Sequence, residues 1–329
     1  MKKERKKSAA VRGGAGAYLA LAASAAALAA LGAFGALSSN AMRYLLQIFL
    51  YLALGEAWNL LSGFAGMTSL GQQLFIGLAG YSLAAMTMLF RRSLTEGLLV
   101  GVLVCLLAAL LVSRLLFRLR GMYFAIASWV AAEAMEKLFL NWSLVGKGSG
   151  MTVRLSPYPG VKTLYLLSLA VAALSVALVL LLLRRKLGLG LLAMRDDAVA
   201  AAAVGVDLKR TRLAVYLSAA LLTGLAGGVF FLNKGTIYPD SGFSVGWTVS
   251  VVFICIVGGT GTVLGPVVGA ALYVLLREYL AHYPGWSNIF LGLITITVIL
   301  FLPEGIIGTA QKWARGLHTR GEGREKHGV

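Results

Sequence analysis

Between Arg184 and Arg212 the chain reads RRKLGLGLLAMRDDAVAAAAVGVDLKRTR, a charged interval between two long apolar runs. Seven basic residues (Arg184, Arg185, Lys186, Arg195, Lys209, Arg210, Arg212) surround three acids, Asp196, Asp197 and Asp207. A short loop so rich in Lys and Arg, set between apolar runs, belongs on the cytoplasmic side of a membrane. Asp196 and Asp197 can accept from the free N–H groups of a starting helix, Ala198 to Val204 is a strong helix-forming run, and Gly205 supplies the stop. Asp207 can then cap the helix that follows. The stretch therefore predicts a short, alanine-faced cytoplasmic helix shaped for another protein's groove. The same helix would suit a position on lipid headgroups, and the segment alone leaves both readings open.

Working outward, the composition agrees with a membrane setting. Hydrophobic residues make up 59% of the 329-residue chain and charged residues 13%, whereas soluble globular domains are roughly 45–50% apolar. An integral membrane protein is expected, all-α and polytopic. The formal charge of +17 is spread over the ends of apolar runs rather than gathered in one domain, so it argues for membrane topology and against nucleic acid. Cys105 and Cys255 each lie in an apolar run, and His282, His318 and His327 are scattered. Neither set offers a disulfide framework or a metal site, and no cofactor is expected. The motifs G-x-x-x-x-G-K-[ST] and H-E-x-x-H are absent from the sequence, so this chain has no recognisable P-loop or zinc-hydrolase motif of its own.

Spans are expected near residues 17–37, 44–61, 70–90, 97–116, 121–140, 163–183, 213–232, 247–260, 264–280 and 287–303, about ten (nine to eleven) in all. The organisation follows: a basic cytoplasmic arm over 1–16, a transmembrane domain over 17–305 with its cytoplasmic loop at 184–212, and a basic cytoplasmic tail over 306–329. The first apolar run is long enough for a retained span rather than a cleaved signal peptide, with Lys2 to Lys7 held at anionic membrane lipid. With both termini inside, most Lys and Arg fall on the cytoplasmic side. Arg91 and Arg92 are the awkward pair, because the count puts them outside; a miscounted span or a re-entrant segment between Asn59 and Gly80 would account for them.

Two stretches are unlike ordinary lipid-facing helices. WNLLSGFAGMTSLGQQLFIGLAGY (Trp58–Tyr81) has glycines at 63, 66, 71, 77 and 80 and carries Asn59, Ser62, Thr68, Ser69, Gln72 and Gln73 at membrane depth. Such groups must be satisfied by protein or by water in a cavity. A broken helix facing a solute pathway does this, and so does close helix packing through small residues. The second stretch, VGGTGTVLGPVVGAAL (Val257–Leu272), contains Gly258, Gly259, Gly261, Gly265, Pro266 and Gly269. Paired interrupted segments in the two halves of a chain point to a transport site at their interface. Asn59, Gly63, Gly66, Ser69, Gln72 and Phe75 are candidates to line the pathway. Glu56, embedded in YLALGEAWNLL, is a candidate functional acid, since a carboxylate is costly within the membrane; a partner or water-filled interface stabilising it for structural reasons is the alternative.

Glu133 and Glu136 sit in the run Gly121–Leu140, where pairing with Lys137 is not obvious and hydration near the outer end of the span is expected. The loop NWSLVGKGSGMTVRLSPYPGVK (Asn141–Lys162) is the longest on the outer face, a landing surface for an extracytoplasmic partner or an ordinary connector. Asn233–Gly246 could contribute to the same surface.

The strings NLLSGFAGMTSLGQQLFIGLAGYSLAA, GMYFAIASWVAAE, AMRDDAVAAAAVGVDLKRTRLAVYLSAALLTGLAGG and IVGGTGTVLGPVVGAAL resemble, in this order, the permeases of branched-chain amino acid ABC importers. The M-type subunit is the closer match, chiefly through GMYFAIAS and the GKGSGM loop, over about residues 44–305. The resemblance implies a permease that pairs with a second, H-type permease, is driven by two cytoplasmic ATPase subunits, and receives its solute from an extracytoplasmic binding protein. Permeases of this kind carry an E-A-A-x-x-x-G pattern that docks on the ATPase. Here Ala200, Ala201 and Gly205 fit it while Val199 stands in place of the acid, and Arg195 and Asp207 flank it. Localisation in the bacterial cytoplasmic membrane follows, and the chain is not itself an enzyme. A related permease for urea, amides or other amino acids is an alternative; so is a scaffold or receptor that moves no solute.

Overall fold

The computed structural model describes residues 15–33, 37–280, 287–302, 304–310 and 312–313. Lys2 to Lys7, His282 and the tail beyond 313 lie outside the described residues. All ten expected spans fall on helices. In chain order these are α1 (Ala15–Ala33), α2 (Ser39–Asn59), α3 (Gln72–Met88), α4 (Leu94–Leu116), α5 (Met122–Asn141) and α6 (Val161–Arg184). Two short helices follow, α7 (Lys186–Asp196) and α8 (Ala198–Ala203), then α9 (Leu208–Lys234), the single turn α10 (Pro239–Gly242), α11 (Val245–Gly258), α12 (Gly265–Leu280) and α13 (Ser287–Phe301). Among the described residues, five helical segments are long and apolar enough to cross a membrane unaided, including Ser39–Phe64, Val161–Arg184 and Leu208–Lys234. The fold is therefore an all-α, polytopic membrane protein. With 17 and 16 residues, α3 and α12 reach only about 24–26 Å at ~1.5 Å per residue, and each is preceded by one of the glycine-rich breaks.

The centre of the molecule is α2. Every residue from Phe49 to Leu61 is buried, as expected of a helix enclosed by others rather than by lipid. It packs on α6, α9, α11 and α12, and Gly55 lets Ile254 and Pro266 approach its backbone. The opposite situation holds for α4, which exposes Leu99, Leu103, Leu107, Leu111 and Leu115, an apolar stripe suited to hydrocarbon.

Elements distant in sequence meet at each of the two ends of the bundle. At one end lie α7 and α8, together with the turn after α2. At the other, the Arg154 N–H donates to Thr87 Oγ1 at the end of α3 (3.3 Å). Here Met151–Thr152 (β1) and Thr236–Ile237 (β2) form a two-residue antiparallel pair, Met151 opposite Ile237. The loops 141–162 and 233–246 thus share one surface. Arg91 and Arg92 lie at this end too, Arg92 pairing with Glu96 (3.6 Å). The arginines thus stay at the end opposite α7 and α8, where the span count put them, and neither a miscounted span nor a re-entrant segment moves them.

Candidate functional site

The helix α2 does not stop cleanly. It widens into a π-turn at Leu60–Phe64, reverses at Gly66, where φ is +68°, and returns without regular structure to Gly71. The second break, between Gly258 and Gly265, reverses through Gly259 and Gly261, with φ of +124° and +73°. These backbone angles strongly favour glycine, and they are the physical content of the glycine pattern.

The two breaks meet, and Asn59 joins them. Its Oδ1 accepts from Gly261 N (2.8 Å) and its Nδ2 donates to Thr262 O (2.9 Å), so one buried amide satisfies a donor and an acceptor of the opposite break. Thr262 Oγ1 in turn donates to Gly259 O (2.9 Å) and accepts from Gly265 N (3.0 Å), where α12 begins with Gly265–Pro266. The approach is close: a β-carbon at Gly63 would stand 2.6 Å from Gly261 N.

A third element enters from α7. Arg195 Nη1 donates to Gly63 O (3.0 Å), and the Arg195 backbone packs beside Gly66. Its guanidinium also touches Asp196 (3.3 Å). Beyond Arg195, Asp197 caps α8 by accepting from Val199 N (2.8 Å) and Ala200 N (3.1 Å). Gly205 ends the turn at φ +88°, and Asp207 caps α9 through Arg210 N (3.0 Å). Val199, Ala200 and Val204 face outward on α8, Val199 and Val204 being 72% and 79% exposed, while Ala201 faces the protein. From Val199 to Gly63 the connection is a capped helix, one arginine and one carbonyl.

The return limb of the first break is tied on every side. Trp58 Nε1 donates to Ser69 O (2.8 Å), Leu70 N donates to Ser128 Oγ of α5 (2.9 Å), and Thr248 Oγ1 of α11 donates to Leu70 O (3.1 Å). Gln72 Oε1 accepts from Thr223 of α9 (2.7 Å), Gln73 Oε1 accepts from Thr248, and Phe75 meets Tyr216 edge-on at 5.7 Å. Asn59, Ser69, Gln72 and Phe75 are thus buried and face neighbouring helices. Four atoms around this limb remain without partners: both Glu56 oxygens and the amide nitrogens of Gln72 and Gln73. Unpaired buried polar atoms are uncommon in folded proteins, and Glu56, at 0% exposure, is the costliest of them. No group of His, Cys, Asp and Glu capable of holding a metal occurs among the described residues.

Sequence reasoning singled out Asn59, Gly63 and Arg195 separately and missed that they touch. It also missed Ser128, Thr223 and Thr248, single hydroxyls in apolar helices that carry no local signal. A further difference concerns Lys137, which pairs with Glu133 (3.2 Å) and Glu136 (3.0 Å). Glu133 lies four residues before it, one turn of helix, the spacing that brings side chains together.

Residues 40–300 match the sequence family described as branched-chain amino acid transport system / permease component. The permease protein LivM of the high-affinity branched-chain amino acid transport system of Escherichia coli is 25% identical over 288 residues, covering 78% of this chain and 68% of that protein. The Salmonella typhimurium protein of the same name is 26% identical with the same coverage. A fructose import permease protein, FruG of Bifidobacterium longum, is 30% identical over 106 residues, 30% of this chain and 31% of that one. No solved structure matches the chain significantly. With a polytopic α-helical fold built around two clasped helix breaks and a family match across most of its length, the chain belongs to the permease components of branched-chain amino acid transport systems.

Proposed function

We propose that the chain is one of two membrane subunits of an ATP-driven importer for branched-chain amino acids. In this reading a second, H-type permease completes the membrane unit, two cytoplasmic ATPase subunits supply the energy, and an extracytoplasmic binding protein delivers the solute. The chain itself hydrolyses nothing and needs no cofactor. It sits in the bacterial cytoplasmic membrane with both termini and the α7–α8 end inside, an orientation supported by the basic residues of 184–212.

The coupling reading rests on one observation, the bond from Arg195 Nη1 to Gly63 O. A docked ATPase would hold the outward face of α8 at Val199, Ala200 and Val204, with Gly205 and the Asp207 cap fixing its angle to α9. Displacement of α8 is passed to α7, and α7 pulls on the π-turn through Arg195. Asn59 carries that movement into the Gly258–Gly265 break, so α2, α3, α11 and α12 shift together. Ser69, Gln72 and Phe75, enclosed when the clasp is shut, come to the solute path when it opens, and Glu56 is the intramembrane acid beside them. Two packed arrangements biased by a motor subunit are the ordinary physics of such switching.

The test is uptake by the full importer in proteoliposomes with Arg195→Ala. The variant is expected to keep binding-protein-stimulated ATP hydrolysis while leucine uptake falls at least tenfold, with partial recovery in Arg195→Lys. Uptake per ATP equal to the unaltered protein would overturn the coupling route.

A further inference from the structure

The helix α3 starts inside the protein rather than at its surface. Its N-cap is Gly71, which has no side chain to offer, and Gln72 and Gln73, the first two helical residues, are 1% and 0% exposed. The backbone N–H groups of these two glutamines find no acceptor among the described residues; the first N–H of the helix to bond is that of Leu74, to Gly71 O (3.1 Å). A helix start hands such donors to a cap or to water, and buried backbone donors without a partner are rare. Within a membrane domain bulk water does not serve them.

The side chains supply a second, independent set of donors. Gln72 Oε1 accepts from Thr223 and Gln73 Oε1 from Thr248, and the amide nitrogens of both are left over. Side chains of a helix slant towards its N-terminus, so those of the first turn lie around the free backbone N–H groups. The ring of Phe75 displays the slant. Both α3 and α9 run towards the end of the bundle that holds β1 and β2. Phe75 nevertheless meets Tyr216, two turns nearer the start of α9 than Thr223, the partner of Gln72. Free backbone and side-chain donors thus lie within one turn, at the positive end of the helix dipole and beside an aromatic pair.

We propose that the start of α3 is the receptor for the carboxylate of the transported amino acid, with Gln72 its specificity-determining residue. The carboxylate accepts from the N–H groups of Gln72 and Gln73 and from Gln72 Nε2, as anions do at helix starts. The aliphatic side chain lies against Phe75 and Tyr216, both buried. Dipoles rather than a countercharge hold the anion, so it is bound and can leave again. The receptor is enclosed while Asn59 clasps the two breaks, and the reversal at Gly66, just before it, is where it opens. The assignment rests on the proposed importer reading and adds to it which group of the solute is recognised.

The experiment titrates radiolabelled leucine onto the whole importer in lipid nanodiscs, without its binding protein, and competes it with two analogues. One, 4-methylpentanoate, keeps the side chain and the carboxylate; the other, leucinamide, keeps the side chain and the ammonium. Leucinamide is expected to compete at least tenfold more weakly than 4-methylpentanoate, and equal competition or the reverse order would overturn the proposal. Gln72→Glu keeps an acceptor for Thr223 but sets an oxygen where the free amide stood, so leucine binding should weaken at least tenfold. Thr223→Val removes only the bond between the helices and should weaken binding less than threefold. A merely structural Gln72 gives the opposite order, which would also overturn the assignment. The competition needs no variant, so a variant that fails to assemble leaves the test standing. Uptake by the unaltered importer separates the two levels: uptake without saturable leucine binding sinks this site alone, and carboxylate-dependent binding without ATP-driven uptake sinks the importer reading alone.

Discussion

Replacing Asn59 by Ala removes the amide that joins the two helix breaks. In the structure Asn59 Oδ1 and Nδ2 serve Gly261 N and Thr262 O at 2.8 and 2.9 Å, and Asn59 is itself 0% exposed. The substitution leaves the part-buried Gly261 N–H and Thr262 carbonyl unpaired, each costing up to about 1–3 kcal/mol. It also opens a cavity next to Gly63, so a loss of roughly 2–6 kcal/mol is expected if the breaks do not re-form bonds with water. Asn59→Asp separates geometry from bonding, since it keeps the acceptor for Gly261 N but sets an oxygen against the Thr262 carbonyl. Thermal unfolding of the detergent-solubilised importer, followed by loss of the monodisperse chromatographic peak, should rank the proteins unaltered, then Asn59→Asp and Asn59→Ala both clearly lower. Uptake should fall in parallel. An Asn59→Ala protein that melts with the unaltered one and transports at the same rate would refute the clasp, because the two bonds would then hold nothing together.

Gly63→Ala places a β-carbon 2.6 Å from Gly261 N, so the breaks must separate; expression of folded protein should drop sharply, and a normal yield with normal uptake would count against their close contact. Glu56→Gln keeps shape while removing a carboxylate whose two oxygens have no partner. Leucine uptake should decline at least tenfold with assembly intact, while unchanged uptake would leave Glu56 a structural residue only. Val199→Glu supplies the acid that the docking pattern lacks, on a residue 72% exposed; pull-down of the ATPase subunits should strengthen and become more salt-sensitive, and no change would place the docking surface elsewhere. Each readout is made on the whole importer, since the proposed effects travel between subunits.

Much of this protein is written in local pattern. Membrane class, helix order, the Asp197 and Asp207 caps and the stop at Gly205 follow from periods and propensities that act within a few residues, whereas the helix Lys186–Asp196, which holds Asp196 inside it and not at the cap of α8, was not foreseen. The glycine breaks were also legible, because positive φ angles such as those at Gly66, Gly259 and Gly261 leave their mark directly on residue choice. What the breaks do was not. Asn59 meets Gly261 across 202 positions and Arg195 meets Gly63 across 132, and Ser128, Thr223 and Thr248 gain their roles only from the helices they face. A polar side chain has the same local sequence signal whether it lines a path or ties two backbones together. Its partner is chosen by packing, where an unpaired buried group costs more than the local chain can repay.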